Sequence, residues 1–197
     1  MFFGQPFGGL ITGARGAVLS ILLRTGTPLT GRQVHRMVTD DFSLWSVQEA
    51  LKALTHLGLV QTQTIGPAHV HTINESHIAL APLRALNDPI AALVTVVGES
   101  LDPQVHTVIL FGSIARGEAS LDSDIDLAVI AAPQWDGRAE LEETVATRLG
   151  NNCDILVFTP SQFDTLAAQG EPVVNDILDE GVAVFGTMPR ATHRAAS

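Results

Sequence analysis

Phe111-Gly112-Ser113-Ile114-Ala115-Arg116-Gly117, followed by Ser123-Asp124-Ile125-Asp126-Leu127, is the stretch on which the reading of this chain turns. The residues before it, His106–Phe111, form an apolar, β-rich run and read as a buried strand. The residues after it, through Ile130, read as a second strand that opens with carboxylates. Asp124 and Asp126 lie two apart, so a strand points both to one face, while Ile125, Leu127 and Val129 take the opposite, core face. Two like charges side by side repel, and one of them tends to keep its proton. A divalent cation removes the conflict, and Mg²⁺ in particular takes one or two protein carboxylates together with phosphate oxygens.

Working outward, 138–149 reads as a helix stopped by Gly150, and Cys153–Phe158 as a third strand. Thr159-Pro160 and Glu171-Pro172 open two further helices, the second ended by Gly181, and Val182–Phe185 is a last short strand. Asp154, early on the third strand, supplies a third carboxylate if the strands are neighbours. Gly112-Ser113 lies between a strand and an expected helix, where small residues let backbone N–H groups approach phosphate oxygens. A phosphate-cradling turn with three carboxylates is a set of parts suited to nucleotidyl transfer. The competing motifs are missing: the sequence has no G-x-x-x-x-G-K-[ST] and no G-x-S-x-G. Cys153 reads as a small buried residue.

Gly112-Ser113, ten residues, then Asp124-x-Asp126 closely resembles the signature of the DNA polymerase β-like nucleotidyltransferases. The Ala-Arg-Gly at 115–117 and the small size resemble their minimal branch, which includes antitoxins paired with HEPN-type toxins. The resemblance covers about residues 89–186. It implies that Asp124 and Asp126 bind two Mg²⁺ ions and the triphosphate of ATP or another NTP. It implies that Asp154 binds one metal and activates the acceptor hydroxyl. Gly112 and Ser113 would hold the phosphates, with Ser123 grouped among the nucleotide-binding residues. Arg116 would contact phosphate or pin the loop to a nearby Asp. The implied activity is transfer of a nucleoside monophosphate, AMP above all, to a hydroxyl of a partner protein such as a HEPN-type toxin. A degenerate, inactive domain keeping the same fold is the alternative. The chain has no Tyr, so a tyrosine acceptor must belong to another protein.

The first half has a different organisation. Residues 14–24 read as a helix with Val18, Ile21 and Leu22 on one face. Thr30 and Gln33 form a capping box that opens a second helix, and Ser46 with Glu49 reads as another. The third helix carries Val47, Ala50, Leu51, Leu54 and Leu57 as an apolar stripe, with Gly58 as its stop. Residues 59–65 and 69–73 read as strands about Gly66-Pro67. Three helices and a hairpin, with Leu51, Leu54, Leu57, Gly58, Leu59 and Val60 at the junction, resemble a winged helix-turn-helix over about residues 10–75. That resemblance implies a third helix in the major groove of double-stranded DNA. Arg32, Arg36, Gln48 and Lys52 are the candidate contacts, with His69 and His71 toward phosphates. A partner protein is the other candidate ligand for this domain. A metal reading of His69, His71 and His77 is weak, because only Glu75 lies at ligand spacing.

Charge divides along the same line. The net charge of the 197 residues is −10. Residues 1–85 carry +2 and residues 86–197 carry −12, which suggests two units with different partners. The +2 predicts few phosphate contacts. Hydrophobic residues make up 46% and charged residues 16%, enough to bury a core. One Cys excludes a disulfide framework. The start of the sequence lacks a basic n-region, and no apolar run reaches the ~18 residues that span a bilayer. The expectation is a cytoplasmic α/β (α+β) protein of two domains without a membrane partner. A winged helix-turn-helix over 1–80 precedes a mixed sheet with flanking helices over 81–197, the boundary falling between about 75 and 88. A homodimer is left open. The runner-up function is a DNA-binding regulator whose second domain senses nucleotide without turning over.

Overall fold

The structure, a computed structural model, describes residues 1–189; the last residues of the expected 81–197 domain lie outside that range. The chain folds as two units. One is Gln5–Pro89; the other begins at Ile90 and includes Met1–Gly4.

The Gln5–Pro89 unit follows a 3₁₀ turn at Pro6–Gly9 with α1 (Gly13–Thr25), β1 (Leu29–Thr30), α2 (Gly31–Arg36) and α3 (Leu44–His56). A hairpin of β2 (Val60–Ile65) and β3 (Ala68–Ile73) follows, then α4 (Leu80–Leu86). The sheet order is β1-β3-β2, antiparallel throughout. Val18, Leu19, Leu22, Val34, Val47, Leu51 and Leu54 are buried together between helices and sheet. The Thr30 capping box forms as expected: Gln33 N–H donates to Thr30 Oγ1 at 3.3 Å, and Thr30 N–H donates to Gln33 Oε1 at 2.8 Å.

Two elements of this unit depart from expectation. The third helix begins before Ser46. Ser43, in extended conformation, is the N-cap, and Ser46 N–H donates to its Oγ at 3.1 Å. The Ser-x-x-Glu signature at 46–49 therefore lies within the helix. Residues 80–86, within the stretch of 75–88 expected to hold the domain boundary, form a helix. Pro82 falls in its first turn, where the missing N–H has no intrahelical partner to lose.

The second unit contains α5 (Pro89–Ser100), β4 (Val105–Phe111), α6 (Gly112–Ala115), β5 (Ile125–Ala131), α7 (Arg138–Leu149), β6 (Cys153–Phe158), α8 (Pro160–Gln169), α9 (Pro172–Glu180) and β7 (Val182–Phe185). Strand order is β6-β5-β4-β7. The sheet is mixed: β5 and β6 run parallel, and β4 is antiparallel to β5 and β7. On one face Ile125, Leu127 and Val129 pack with Leu93 and Val97 of α5 and Leu141 and Val145 of α7. On the other, Ala128 and Ile130 pack with Phe163 of α8 and Val174 and Ile177 of α9. Helices thus cover both faces of β5, and only its opening residues escape. The helix expected after Gly112-Ser113 is a single turn. Among the described residues, no single helix is long and apolar enough to cross a membrane.

Candidate active site

Strand direction brings the site together. β4 ends where β5 and β6 begin, so the turn at Gly112 and the carboxylates of β5 and β6 share one end of the sheet. Asp126 is the register partner of Phe111 on one side and of Asp154 on the other. Asp126 is half-buried, whereas Asp124 and Asp154 are exposed. Burial raises the Asp126 pKa above the ordinary carboxylate value, Asp154 and then Asp124 raise it further, and Arg116 opposes them. The repulsion expected from Asp124-x-Asp126 is thus present, and its larger source is Asp154 on the neighbouring strand.

Gly112 closes the other side. Its φ is +72°, and a Cβ there would collide with the Asp126 carboxylate. The turn therefore runs against Asp126 with nothing between backbone and carboxylate. Ser113 Oγ donates to Ser123 Oγ at 3.4 Å, and Ser120 N–H donates to the same oxygen at 2.8 Å. Ser123 thereby ties the turn to the loop that leads into Asp124. Arg116 does not pair with an Asp. Its Nε donates to Glu118 Oε2 at 2.8 Å and its Nη1 to Glu180 Oε2 at 3.2 Å, fastening α6 to the end of α9. Arg116 does pin the loop, but to glutamates, because Glu180 lies closer in the fold than its distance in sequence suggests.

Three neighbours of the site carry no sequence signal. Asn152 Nδ2 donates to Asp124 Oδ1 at 3.0 Å, and Asn151 Nδ2 donates to the Ser123 carbonyl at 3.1 Å. Glu142 accepts the Ile155 N–H at 3.1 Å, occupying a donor on the edge strand β6. Burial pushes the Cys153 thiol up to about 12, with Glu142 and Asp154 adding to it. It stays protonated and is a packing residue.

Among the described residues no three His, Cys, Asp or Glu side chains are grouped closely enough to hold an ion by themselves. That differs from a ready three-carboxylate cage. The donor set still suits Mg²⁺, a hard cation that takes oxygen ligands and completes its shell with substrate phosphates. The three carboxylates and the hydroxyls of Ser113 and Ser123 at this end of the sheet are all oxygen donors, so the residues fit the ion.

The charge conflict at Asp126 predicts a pH-dependent stability without metal. A carboxyl whose folded pKa is raised stabilises the fold below its unfolded value, and that contribution is lost as pH rises through the folded value. Asp126→Asn is therefore expected to raise the melting temperature at pH 7 in EDTA. The gain should shrink toward zero as pH falls to the ordinary Asp range. A melting temperature lowered at pH 7 would contradict the electrostatic account.

In the other unit, Arg32, Gln48 and Lys52 line one groove of about 980 Å³ between α3 and the hairpin, together with His69 and His71. Arg36 instead shares a neighbouring depression with Arg32 and His35. Lys52 stands 3.9 Å from Glu49 on the same exposed helix face, so part of its charge is answered locally. Burial, then His69, lowers the His71 pKa.

Residues 99–190 match the family model described as Polymerase beta, Nucleotidyltransferase. The matched stretch is just under half of the chain. It contains the Gly112 turn and all three carboxylates. A curated relative, the protein adenylyltransferase MntA of Shewanella oneidensis, is 29% identical over 87 residues, 43% of this chain and 57% of the relative. The chain thus spans little more than half the length of that relative. Among solved structures, a toxin–antitoxin crystal structure with AMP-PNP is 25% identical over 50% of this chain and 73% of its own, at a TM-score of 0.38. A tri-AMPylated Shewanella oneidensis HEPN toxin in complex with MNT antitoxin gives 24%, 50%, 71% and 0.35.

Proposed function

We propose that the nucleotidyltransferase domain transfers AMP from ATP to a hydroxyl of a partner protein, with Mg²⁺, and that this transfer neutralises a toxin. The observation that carries the reading is Asp126, in register with Asp154 and pressed against a glycine turn. A relative bearing the name protein adenylyltransferase supports AMP and a protein acceptor.

The chemistry follows from the residues. Asp124, Asp126 and Asp154 would hold Mg²⁺, which supplies charge compensation for the phosphate oxygens. The backbone at Gly112-Ser113 approaches the phosphates closely because no side chain intervenes, and Ser113 and Ser123 offer hydroxyls to them. Arg116 keeps the one-turn α6 in place through Glu118 and Glu180. Asp154, exposed at the mouth, accepts the proton of the acceptor hydroxyl as its oxygen attacks the α-phosphorus. The bond from that phosphorus to the bridging oxygen breaks, and pyrophosphate leaves. The acceptor is another protein if it is a tyrosine, since this chain has none.

Incubation with α-labelled ATP, Mg²⁺ and cell extract tests the proposal. A covalently labelled band is expected with the native protein and is expected to be lost with Asp124→Asn and with Asp126→Asn. Bound nucleotide without any labelled product would overturn transfer and leave the nucleotide-sensing regulator.

For the Gln5–Pro89 unit we propose a winged helix-turn-helix that binds duplex DNA through the groove shared by Arg32, Gln48 and Lys52. Each phosphate contact contributes about −0.9 to the slope of log affinity against log salt. Arg32→Ala with Lys52→Ala is expected to flatten that slope by about 2 in mobility shifts with promoter-proximal DNA. A slope that the double variant leaves unchanged would remove these residues from the interface.

A further inference from the structure

We infer that Asn152 is a positioning residue for the metal-binding carboxylate Asp124, and that Asn151 beside it steadies the loop on which Asp124 stands. The inference rests on the proposed nucleotidyl-transfer site. Asp124 lies just before β5 and is exposed, so the ladder of β5 does not fix its side chain. Asn152 does. Its Nδ2 donates to Asp124 Oδ1 at 3.0 Å. Its carbonyl accepts the Ile125 N–H at 2.9 Å, so its backbone is tied to the residue next to Asp124. Asn151 is buried and donates to the Ser123 carbonyl on the other side of Asp124. Its Oδ1 in turn accepts from the Met1 nitrogen. The two residues leading into β6 thus hold Asp124 from both backbone flanks and from its own carboxylate.

Chemistry favours Asn at 152. A neutral amide donates to a carboxylate without adding charge. An Asp there would place another anion against Asp124, and a Lys would compete with the cation. One oxygen of Asp124 is held, which fixes the carboxylate plane and removes rotamer freedom otherwise lost when an ion binds. Partners that orient a ligand in this way typically contribute about 10–100-fold in metal affinity or activity.

The test is Mn²⁺ binding, read from the electron paramagnetic resonance signal of the free ion, on the full chain with ATP present. Asn152→Ala is expected to weaken Mn²⁺ binding about 10–100-fold, with an unchanged melting temperature in EDTA. Asn152→Asp, nearly the same shape, is expected to weaken it at least as much. Excess Mg²⁺ is expected to restore labelling by Asn152→Ala. Asp124→Asn is the reference. If it weakens Mn²⁺ binding and Asn152→Ala does not, the positioning role is wrong. If neither variant changes binding, the underlying reading of the carboxylates fails instead. A purely structural Asn152 would lower the melting temperature in EDTA, and excess Mg²⁺ would not restore its variant.

Discussion

Asp154→Asn is expected to slow nucleotidyl transfer by about 10²–10⁴-fold, the range for loss of a positioned proton acceptor. The amide keeps the shape of the side chain and the parallel register with Asp126, so the sheet should not change. What is lost is one carboxylate toward Mg²⁺ and the ability to take the acceptor's proton as the new bond to phosphorus forms. Two further observations separate this from a general loss of the site. Asp154 is the strongest charged neighbour raising the Asp126 pKa, so the variant's Asp126 should ionise at lower pH. The metal-free protein should also be no less stable than the native one. The decisive measurement is single-turnover labelling with saturating ATP. The native protein should label about 10²–10⁴-fold faster than the variant at neutral pH. A variant that labels at the native rate would exclude Asp154 as the base.

Gly112→Ala is expected to cut nucleotidyl transfer severely. Two costs coincide there. A left-handed φ costs a non-glycine residue about 1–3 kcal/mol. The added Cβ also collides with the Asp126 carboxylate, and because β4 and β6 hold the Asp126 backbone on both sides, relief must come from turning the carboxylate out of its place. Displacing a reacting or ligating group by about 1 Å can cost about 10²-fold in rate, and transfer should fall by at least that factor. Gly117 separates the two costs. Its φ is +74°, with no atom near an added Cβ, so Gly117→Ala should show the stability cost with transfer largely kept. In an Asp126→Ala background the collision disappears. Gly112→Ala should then cost no more in denaturant unfolding than Gly117→Ala does. Equal stability costs for Gly112→Ala in both backgrounds would disprove the collision.

Much of this site is legible in the sequence because its chemistry lies at strand ends. The apolar runs 106–111, 125–130 and 153–158 locate three strands, and the alternation after Asp124 assigns faces. What alternation cannot supply is pairing. That Asp126 and Asp154 are register partners depends on β5 and β6 running parallel, a non-local fact. Asn151 and Asn152 are invisible in the sequence for the same reason: each bonds to a group 28 residues away. Nothing in their spacing marks them as site residues. Arg116 reaches Glu180, 64 residues on, although an Asp lies nearer along the chain. In the first half the misleading signal is local. Ser46-x-x-Glu49 has the residues of a capping box, yet Ser43 provides the extended backbone that a cap needs. The apolar stripe of α3 is legible in Val47, Ala50, Leu51 and Leu54, which are buried wherever the helix starts, but not in Leu57, which lies past the helix as its C-cap and is exposed.

The segment Met1–Gly4 has a consequence for the order of assembly. It packs within the unit that begins at Ile90, and the Met1 nitrogen donates to the Leu149 carbonyl, 148 residues away. At about 5–20 residues per second a ribosome needs on the order of ten seconds to make that interval. Throughout it these four residues wait without their docking surface, while Gln5–Pro89 gains all of its own core. The unit that carries the carboxylates is thus discontinuous along the chain, and the residues of it that are made first are among the last to find their contacts.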